Sequence, residues 1–219
     1  MKITFIGDVH GKTDQYQKML RQKFAGQRTF QVGDMGIGFP GVGLHSDIMN
    51  SGDHKWIRGN HDDPDKCALL TDRGYAGDYG YFEDIRMFYL GGAFSIDYAW
   101  RVPGKSWWAG EELSYTELSK TIEFYKEKKP KIVATHEAPS DVAKYMLMQL
   151  MVGFRSEKLA CTMSRTAEAL QVMFDAHQPE EWVFGHYHLD KSLDWKGTKF
   201  TCVNELSTYA ITDEPRIVS

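Results

Sequence analysis

The sequence has little of several features that would by themselves define a class of protein. Its 219 residues include only three cysteines, Cys67, Cys161 and Cys202. An odd number at wide spacings fits neither a disulfide framework nor a CxxC zinc site, so we expect a reducing, cytoplasmic location. No apolar run approaches the roughly 20 residues that a membrane span needs, and the opening MKITFIGD reaches a charge too early for a signal peptide. We therefore expect no membrane partner.

An excess of positive charge is also lacking. The chain has 26 Lys and Arg against 30 Asp and Glu, for a formal charge of −4. Proteins that wrap nucleic acid present a basic face, so an extended nucleic acid is not an expected partner. Neither a GxSxG elbow nor a GxxxxGK[ST] loop occurs, which leaves a serine hydrolase and a P-loop protein without support. The run GIGFPG at residues 36–41 matches GxGxxG, but no helical pattern follows it.

The sequence does contain a regular alternation of short apolar runs, polar loops and helical patterns. Apolar runs predict buried strands at residues 2–6, 29–32, 55–58, 131–135 and 182–184. Helical spacing is present at residues 14–23, 116–128 and 141–177, and the segment KSLDWKGTKFTCVNE predicts a hairpin that turns at Lys196 and Gly197. No repeat or break in composition marks a linker. The pattern predicts an α/β (α+β) fold in a single domain, residues 1–219.

Histidine is the unusual feature, with eight residues in the chain. Five predicted strands each end in side chains that can bind a metal, and these are Asp8 and His10, Asp34, Asn60, His136, and finally His186 and His188. Each alone has an ordinary explanation as a turn or surface residue, but five at one topological position indicate a site. Carboxylate, imidazole and amide ligands suit Mn, Fe, Zn, Co or Ni, and the absence of cysteine from the set argues against a closed structural zinc site.

The ordered series DxHG, GD, GNHD, H and GHxH resembles the calcineurin-like metallophosphoesterases, and the match runs from Asp8 to His188. The resemblance implies a four-layer β-sandwich flanked by helices, with two divalent metal ions at the strand ends. Mn is our first choice, with Fe, Zn, Ni or Co as alternatives. The resemblance also implies the ligands: Asp8, His10 and His188 for one metal, Asn60, His136 and His186 for the other, and Asp34 as the bridge between them.

Catalytic roles follow from the same resemblance for residues around the GNHD motif. It makes His61 the general acid that protonates the leaving oxygen. Asp62 is suited to orient the imidazole of His61, with a helix cap as the equal alternative. Arg58 resembles the arginine that phosphoprotein phosphatases place on the substrate phosphate, where its planar fork could grip two oxygens; the alternative is a surface arginine at a strand end.

We therefore predict a metal-dependent phosphoric ester hydrolase that acts by metal-hydroxide attack on phosphate mono- or diesters. A small nucleotide or phosphorylated metabolite is the expected substrate. The first alternative is a serine/threonine-type protein phosphatase, although the second motif continues as Met35-Gly36-Ile37-Gly38 and lacks the acidic and basic pair of the GDxVDRG motif. A nuclease is the third candidate, and a non-catalytic scaffold is the alternative from another class.

Two further segments have open interpretations. Trp107 and Trp108, with Arg101 and Lys105 nearby, either line a substrate groove or pack into the core and anchor a loop. Residues 141–177 contain a cluster of basic side chains among methionines and form either a cap-like segment over the metals or a solvated face over an apolar core. The remaining histidines match no motif position and are expected at the surface; they are His45, His54 and His177.

Overall fold

The computed structural model describes residues 2–150 and 164–212. Ten strands are present in these residues: β1 (Lys2–Ile6), β2 (Arg28–Gln31), β3 (Asp53–Trp56), β4 (Tyr79–Phe82), β5 (Met87–Leu90), β6 (Ile132–Thr135), β7 (Glu181–Phe184), β8 (Lys191–Trp195), β9 (Thr198–Cys202) and β10 (Thr208–Thr212). The helices there are α1 (Thr13–Lys23), α2 (Ser46–Met49), α3 (Pro64–Ala68), α4 (Tyr115–Lys128), α5 (Ser140–Leu150) and α6 (Arg165–Ala176).

The strands form two sheets. The first has the order β10-β1-β2-β3, in which β1, β2 and β3 run parallel and β10 pairs antiparallel with β1. The second has the order β4-β5-β6-β7-β9-β8, in which the four inner strands are parallel and both edge strands are antiparallel. The carboxyl ends of parallel strands meet at one edge of each sheet, so the loops that follow them are brought together.

An apolar layer packs the two sheets face to face. Alternate residues of the strands point into it, as expected from the period of two along a strand: Ile3 and Phe5 from β1, Phe30 from β2, and Met87 and Tyr89 from β5. Near-continuous burial of β5, β6 and β7 shows that their opposite faces are covered as well.

Helices cover the outer face of each sheet. On the first sheet, α1 and α2 pack Tyr16, Leu20 and Ile48 against Trp56. On the second, α4, α5 and α6 cover Phe88, Trp182 and Phe200, with the apolar sides of the helices in a single cluster. The layers are therefore helix, sheet, sheet and helix, which confirms the predicted four-layer sandwich.

The five predicted strands and the helices at 14–23 and 116–128 are confirmed with boundary shifts of one or two residues, and so is the hairpin at Lys196 and Gly197. The helical spacing at 141–177 is confirmed at Ser140–Leu150 and Arg165–Ala176, and the residues between them lie outside the described part of the chain. Strand β10 was not predicted, because its pairing with β1 joins the two ends of the chain. The surface assignment of His54 is wrong. His54 is buried on β3, and its Nδ1 lies 2.9 Å from Oγ1 of Thr29 on β2.

The proposed cap-like segment is described only in part. Helices α5 and α6 form part of the outer layer on the second sheet, whereas residues 151–163, which include Arg155 and Lys158, lie outside the described residues. A cap at 141–177 therefore stays a prediction. Among the described residues, no helix is both long enough and apolar enough to cross a membrane.

Candidate metal centre

The predicted metal ligands lie together at the carboxyl ends of five parallel strands, three from the first sheet and two from the second. They fall into two groups whose potential ligand atoms lie within 4.8 Å of one another. The first group contains Asp8, His10, Asp34 and His188, and the second contains Asp34, His136 and His186. Asp34 belongs to both.

Close contacts define the first group. The Nε2 atoms of His10 and His188 lie 2.8 Å apart, and Nε2 of His188 lies 3.2 Å from Oδ2 of Asp8. Nε2 of His10 is 3.8 Å from Oδ2 of Asp34. Two imidazole nitrogens and two carboxylates thus face one common point, which is the arrangement of a nitrogen- and oxygen-ligated divalent metal.

The second group lies on the other side of Asp34. Nε2 of His136 is 3.3 Å from Oδ1 of Asp34 and 3.2 Å from Oδ1 of Asn60. Nδ1 of His136 donates a hydrogen bond of 2.7 Å to the carbonyl of Val32, which leaves Nε2 to face the group. The ring of His186 is 5.1 Å from that of His136, centroid to centroid. The amide oxygen of Asn60, a predicted ligand of the second metal, therefore lies in this group.

The backbone at these ligands is strained. Four of them have positive φ angles, namely His10 (48°), Asp34 (56°), His186 (69°) and His188 (51°). Non-glycine residues rarely adopt this left-handed region, at a cost of about 1–3 kcal/mol each, and such residues cluster at functional sites. The surrounding fold holds these side chains in directions that a relaxed turn would not give them.

Glycines let the backbone of adjacent loops approach the ligands. A Cβ atom on Gly59 would overlap Oδ1 of Asp34 and Nε2 of His136, and one on Gly185 would overlap Oδ1 of Asp8. Both positions require the absence of a side chain. Steric crowding in this structure thus explains why glycine stands first in the GNHD motif and in the GHxH motif.

The ionisable side chains of the two groups shift one another's pKa values. Burial alone would raise the pKa of Asp34, but His136, His61 and His10 together hold it well below its usual value. Burial likewise opposes protonation of His136, yet Asp34 and Asp8 raise its pKa to about 10. Both shifts show that a negative charge on Asp34 is favoured by positive charge beside it. The donor set fits a pair of divalent metal ions, which supply such charge.

His61, the predicted general acid, lies at the rim of this centre with its side chain 25% exposed. Its Nε2 is 4.0 Å from Oδ2 of Asp34, and its backbone N–H donates to Oδ1 of the same carboxylate. Burial lowers the pKa of His61 to about 4; Asp34 opposes this shift, and the charge of Arg101 adds to it. The location agrees with a role at the reacting group.

The predicted role of Asp62 in orienting His61 does not agree with the structure. The carboxylate of Asp62 is fully buried and accepts hydrogen bonds from the backbone N–H groups of Met35, Gly36, Ile37 and Gly59. It therefore ties the loop after β2 to the loop after β3. The alternative of a helix cap is also wrong, because Asp63 caps α3.

The predicted contact of Arg58 with phosphate is contradicted as well. Arg58 is 2% exposed, and its guanidinium donates to Oδ1 of Asp78 at 2.5 Å and to the carbonyl of Glu111 at 2.7 Å. Its guanidinium is thus bound by acceptors on the segments that precede β4 and α4. Arg58 is neither a surface residue nor a residue of the described lining of the site.

A cavity of about 340 Å³ opens onto the centre. Its lining combines Asp34, Asn60 and His186 with the apolar side chains of Phe94 and Leu147. The volume is in the range of small-molecule sites. Trp108 does not line the cavity; it is buried against Phe39 with ring centroids 5.5 Å apart, which supports the packing interpretation.

Sequence reasoning missed the supporting residues of the loop between β5 and α4. Ser95 accepts a hydrogen bond from the amide of Asn60 and donates one to Glu111. Arg101, considered only for a groove beside the tryptophans, contacts His61. No periodic pattern or motif marks these three residues. The only signal in the sequence was that these residues follow β5, the strand that pairs with β6.

Fold and site together define a class of protein: a helix-flanked β-sandwich that gathers carboxylate and imidazole ligands at the ends of parallel strands. Residues 1–190 match the family model of the calcineurin-like phosphoesterases, and the chain belongs to that family. No curated protein sequence matches the chain.

Two solved structures share the fold. One is a Staphylococcus aureus protein assigned as a 5′-nucleotidase, in complex with α-ketoglutarate. The match has a TM-score of 0.57 and 13% sequence identity, and it covers 98% of this chain. This chain spans only 51% of that protein. The other is the phosphopantetheinyl hydrolase PptH of Mycobacterium tuberculosis, with a TM-score of 0.53, 12% identity, and coverage of 100% of this chain and 98% of PptH.

Proposed function

We propose that this protein is a binuclear metal-dependent phosphoesterase that hydrolyses mono- or diesters of a small nucleotide or phosphorylated metabolite. The observation that carries the proposal is the pair of ligand groups that share Asp34. Asp8, His10 and His188 would hold one divalent ion, with Mn as the first choice, and Asn60, His136 and His186 the other. Metal ions in such a pair lower the pKa of a bound water and offset charge on phosphoryl oxygens.

The remaining chemistry belongs to the chain itself. Asp34 would bridge the two ions through its two oxygens, which already face opposite groups. His61 lines the cavity beside Asp34 and is the proposed donor of a proton to the leaving oxygen. An anionic substrate beside the ring would favour its protonated form.

The cavity supports a small substrate. Its volume of about 340 Å³ and its apolar wall suit a compact organic group rather than an extended polymer. The motif resemblance that raised a protein phosphatase as the first alternative rested on Arg58, and that side chain is buried away from the cavity.

A substrate panel tests the proposal. Wild-type protein and Asp34→Asn would be stripped with a chelator, reloaded with Mn, Fe, Co, Ni or Zn, and assayed on p-nitrophenyl phosphate, its bis ester, nucleotides, cyclic nucleotides and a phosphopeptide. We expect metal-dependent hydrolysis of at least one small ester by the wild type alone. Failure on every ester with every metal would favour the scaffold, and faster turnover of the phosphopeptide would favour a protein phosphatase.

A further inference from the structure

Arg101 lies beside His61, whereas Arg58, the arginine predicted to bind the substrate phosphate, is absent from the described lining of the cavity. Arg101 follows the short 3₁₀ turn Tyr98–Trp100 in the loop between β5 and α4 and lines the cavity. Its side chain is 12% exposed. Among the described residues that line the cavity, Arg101 is the single Arg or Lys.

Two hydrogen bonds to the protein fix the guanidinium of Arg101. Nε donates to Oδ1 of Asp97 at 2.6 Å, and Nη1 donates to the carbonyl of Ser106 at 3.1 Å. These contacts restrict a long side chain that would otherwise lose rotamer freedom on binding a ligand. The planar fork is therefore pre-organised, with its two Nη atoms directed towards the cavity.

The donors on the cavity side of Arg101 exceed the acceptors available to them. Nη1 lies 3.0 Å from Nδ1 of His61, and Nη2 lies 2.7 Å from Nε2 of the same ring. In any protonation state an imidazole ring accepts a hydrogen bond at no more than one nitrogen, so the two contacts cannot both be hydrogen bonds. A bound anion would supply the missing acceptor.

The position of the guanidinium suits a phosphoryl group at the metal centre. Nε2 of His61, which Nη2 contacts at 2.7 Å, is itself 4.0 Å from Oδ2 of Asp34. A phosphoryl group bound beside Asp34 is thus within reach of Arg101. Guanidinium binds two oxygens of one phosphate in a bidentate geometry.

We infer that Arg101 binds terminal phosphoryl oxygens of the substrate and makes the site selective for phosphate monoesters. This inference rests on the proposed phosphoesterase function. A monoester has three terminal oxygens and carries about −1.5 to −2 charges at pH 7 because its second pKa is about 6. A diester has two terminal oxygens and one charge, so it gains less from an additional fixed cation.

The decisive experiment compares Arg101→Ala and Arg101→Lys with Lys105→Ala, an exposed cation in the same loop. For metal-loaded protein, kcat/KM would be measured on p-nitrophenyl phosphate and on its bis ester, and calorimetry would measure binding of inorganic phosphate. We expect Arg101→Ala to lose about 10- to 100-fold in kcat/KM on the monoester and in phosphate affinity. The loss on the diester should be less than about threefold. Arg101→Lys should recover part of the loss, and Lys105→Ala should match the wild type.

Each other outcome has a separate meaning. Equal losses on both esters, unchanged phosphate affinity, or a wild type that prefers the diester would overturn the inference and leave the phosphoesterase proposal intact. If the wild type hydrolyses neither these two esters nor any other ester of the substrate panel, the proposed function fails, and phosphate affinity still decides whether Arg101 forms an anion site. Because Arg101→Ala removes the contacts with Asp97 and Ser106, Asp97→Asn serves to separate loop disorder from loss of the cation; it should retain phosphate binding.

Discussion

The side-chain amide of Asn60 donates a hydrogen bond from Nδ2 to Oγ of Ser95 at 3.0 Å. Ser95 in turn donates from Oγ to Oε2 of Glu111 at 2.6 Å, and its backbone N–H donates to Oε1 at 3.0 Å. Since the single hydroxyl proton is used on Glu111, Oγ must accept from Asn60, and the amide oxygen must face His136. This buried chain orients a proposed metal ligand.

Ser95→Ala should therefore weaken the second metal site without unfolding the protein. Loss of a hydrogen-bond partner behind a ligand typically lowers metal affinity by about 10- to 100-fold. Metal content after dialysis against graded metal concentrations measures the effect. Ser119→Ala, on the exposed side of α4, is the matched control and should leave affinity unchanged. Equal affinity in both variants would show that Asn60 is oriented by other contacts.

Asp34→Asn should abolish turnover and remove at least one metal ion, because the amide provides a single neutral oxygen in place of two charged ones. The hydrogen bond from the backbone N–H of His61 is kept by that oxygen, so the fold should persist. Elemental analysis and turnover of a small ester are the measurements. Asp14→Asn on the surface of α1 is the control. A variant that retains both metal ions and full activity would show that Asp34 does not bridge them.

His61→Ala should leave metal content unchanged and slow esters with poor leaving groups more than esters with activated ones. A general acid contributes most where the leaving oxygen needs a proton, typically about 10²- to 10⁴-fold. A series of phenyl phosphates with graded leaving-group pKa values measures this as a steeper dependence of kcat/KM. His45→Ala, at an exposed position, should behave as the wild type. Equal losses across the series would count against proton donation.

Arg58→Ala should reduce stability rather than substrate binding. Removal of the buried guanidinium leaves the carbonyl of Glu111 without this donor, while Asp78 keeps the hydroxyl of Tyr75, so we expect a cost of about 2 kcal/mol in the free energy of unfolding. Urea unfolding measures the loss, and KM should change by less than about twofold. Arg21→Ala breaks an exposed ion pair with Asp47 and should cost less than about 1 kcal/mol. A large rise in KM with normal stability would instead support binding of the substrate phosphate by Arg58.

Removal of metal should lower the thermal stability of the wild type. Asp8 and Asp34 are fully buried carboxylates, and a ligand that binds only the folded state stabilises it by about 4 kcal/mol at 1,000 times its Kd. Differential scanning fluorimetry with a chelator and with added Mn would measure the shift. Asp34→Asn should show a smaller shift on addition of Mn. Identical melting temperatures in the two conditions would argue against binding at this centre.

Most of the architecture could be predicted from local patterns. The apolar runs that became β1, β2, β3, β6 and β7 each end just before a polar loop, and the ends of parallel strands must meet at one edge of a sheet. The order of Asp, His and Asn residues along the chain therefore indicated the family and the side chains that lie together at the candidate site, before any contact between distant segments was known.

The direction of side chains beyond those ends could not be predicted. Arg58 and Asp62 flank Asn60 in the sequence, yet both turn inward, because their acceptors and donors come from Asp78, Glu111 and the loop after β2. Such contacts join segments that are 20 or more residues apart, and no local periodicity encodes them.

The sequence alone thus determined which residue types stand at the end of each strand, and it indicated the family to which the chain belongs. Only the tertiary structure decided which arginine meets the cavity. A strand end is specified by a local run of apolar residues, whereas the approach of Arg101 to His61 depends on how a loop 40 residues further along the chain packs over the site.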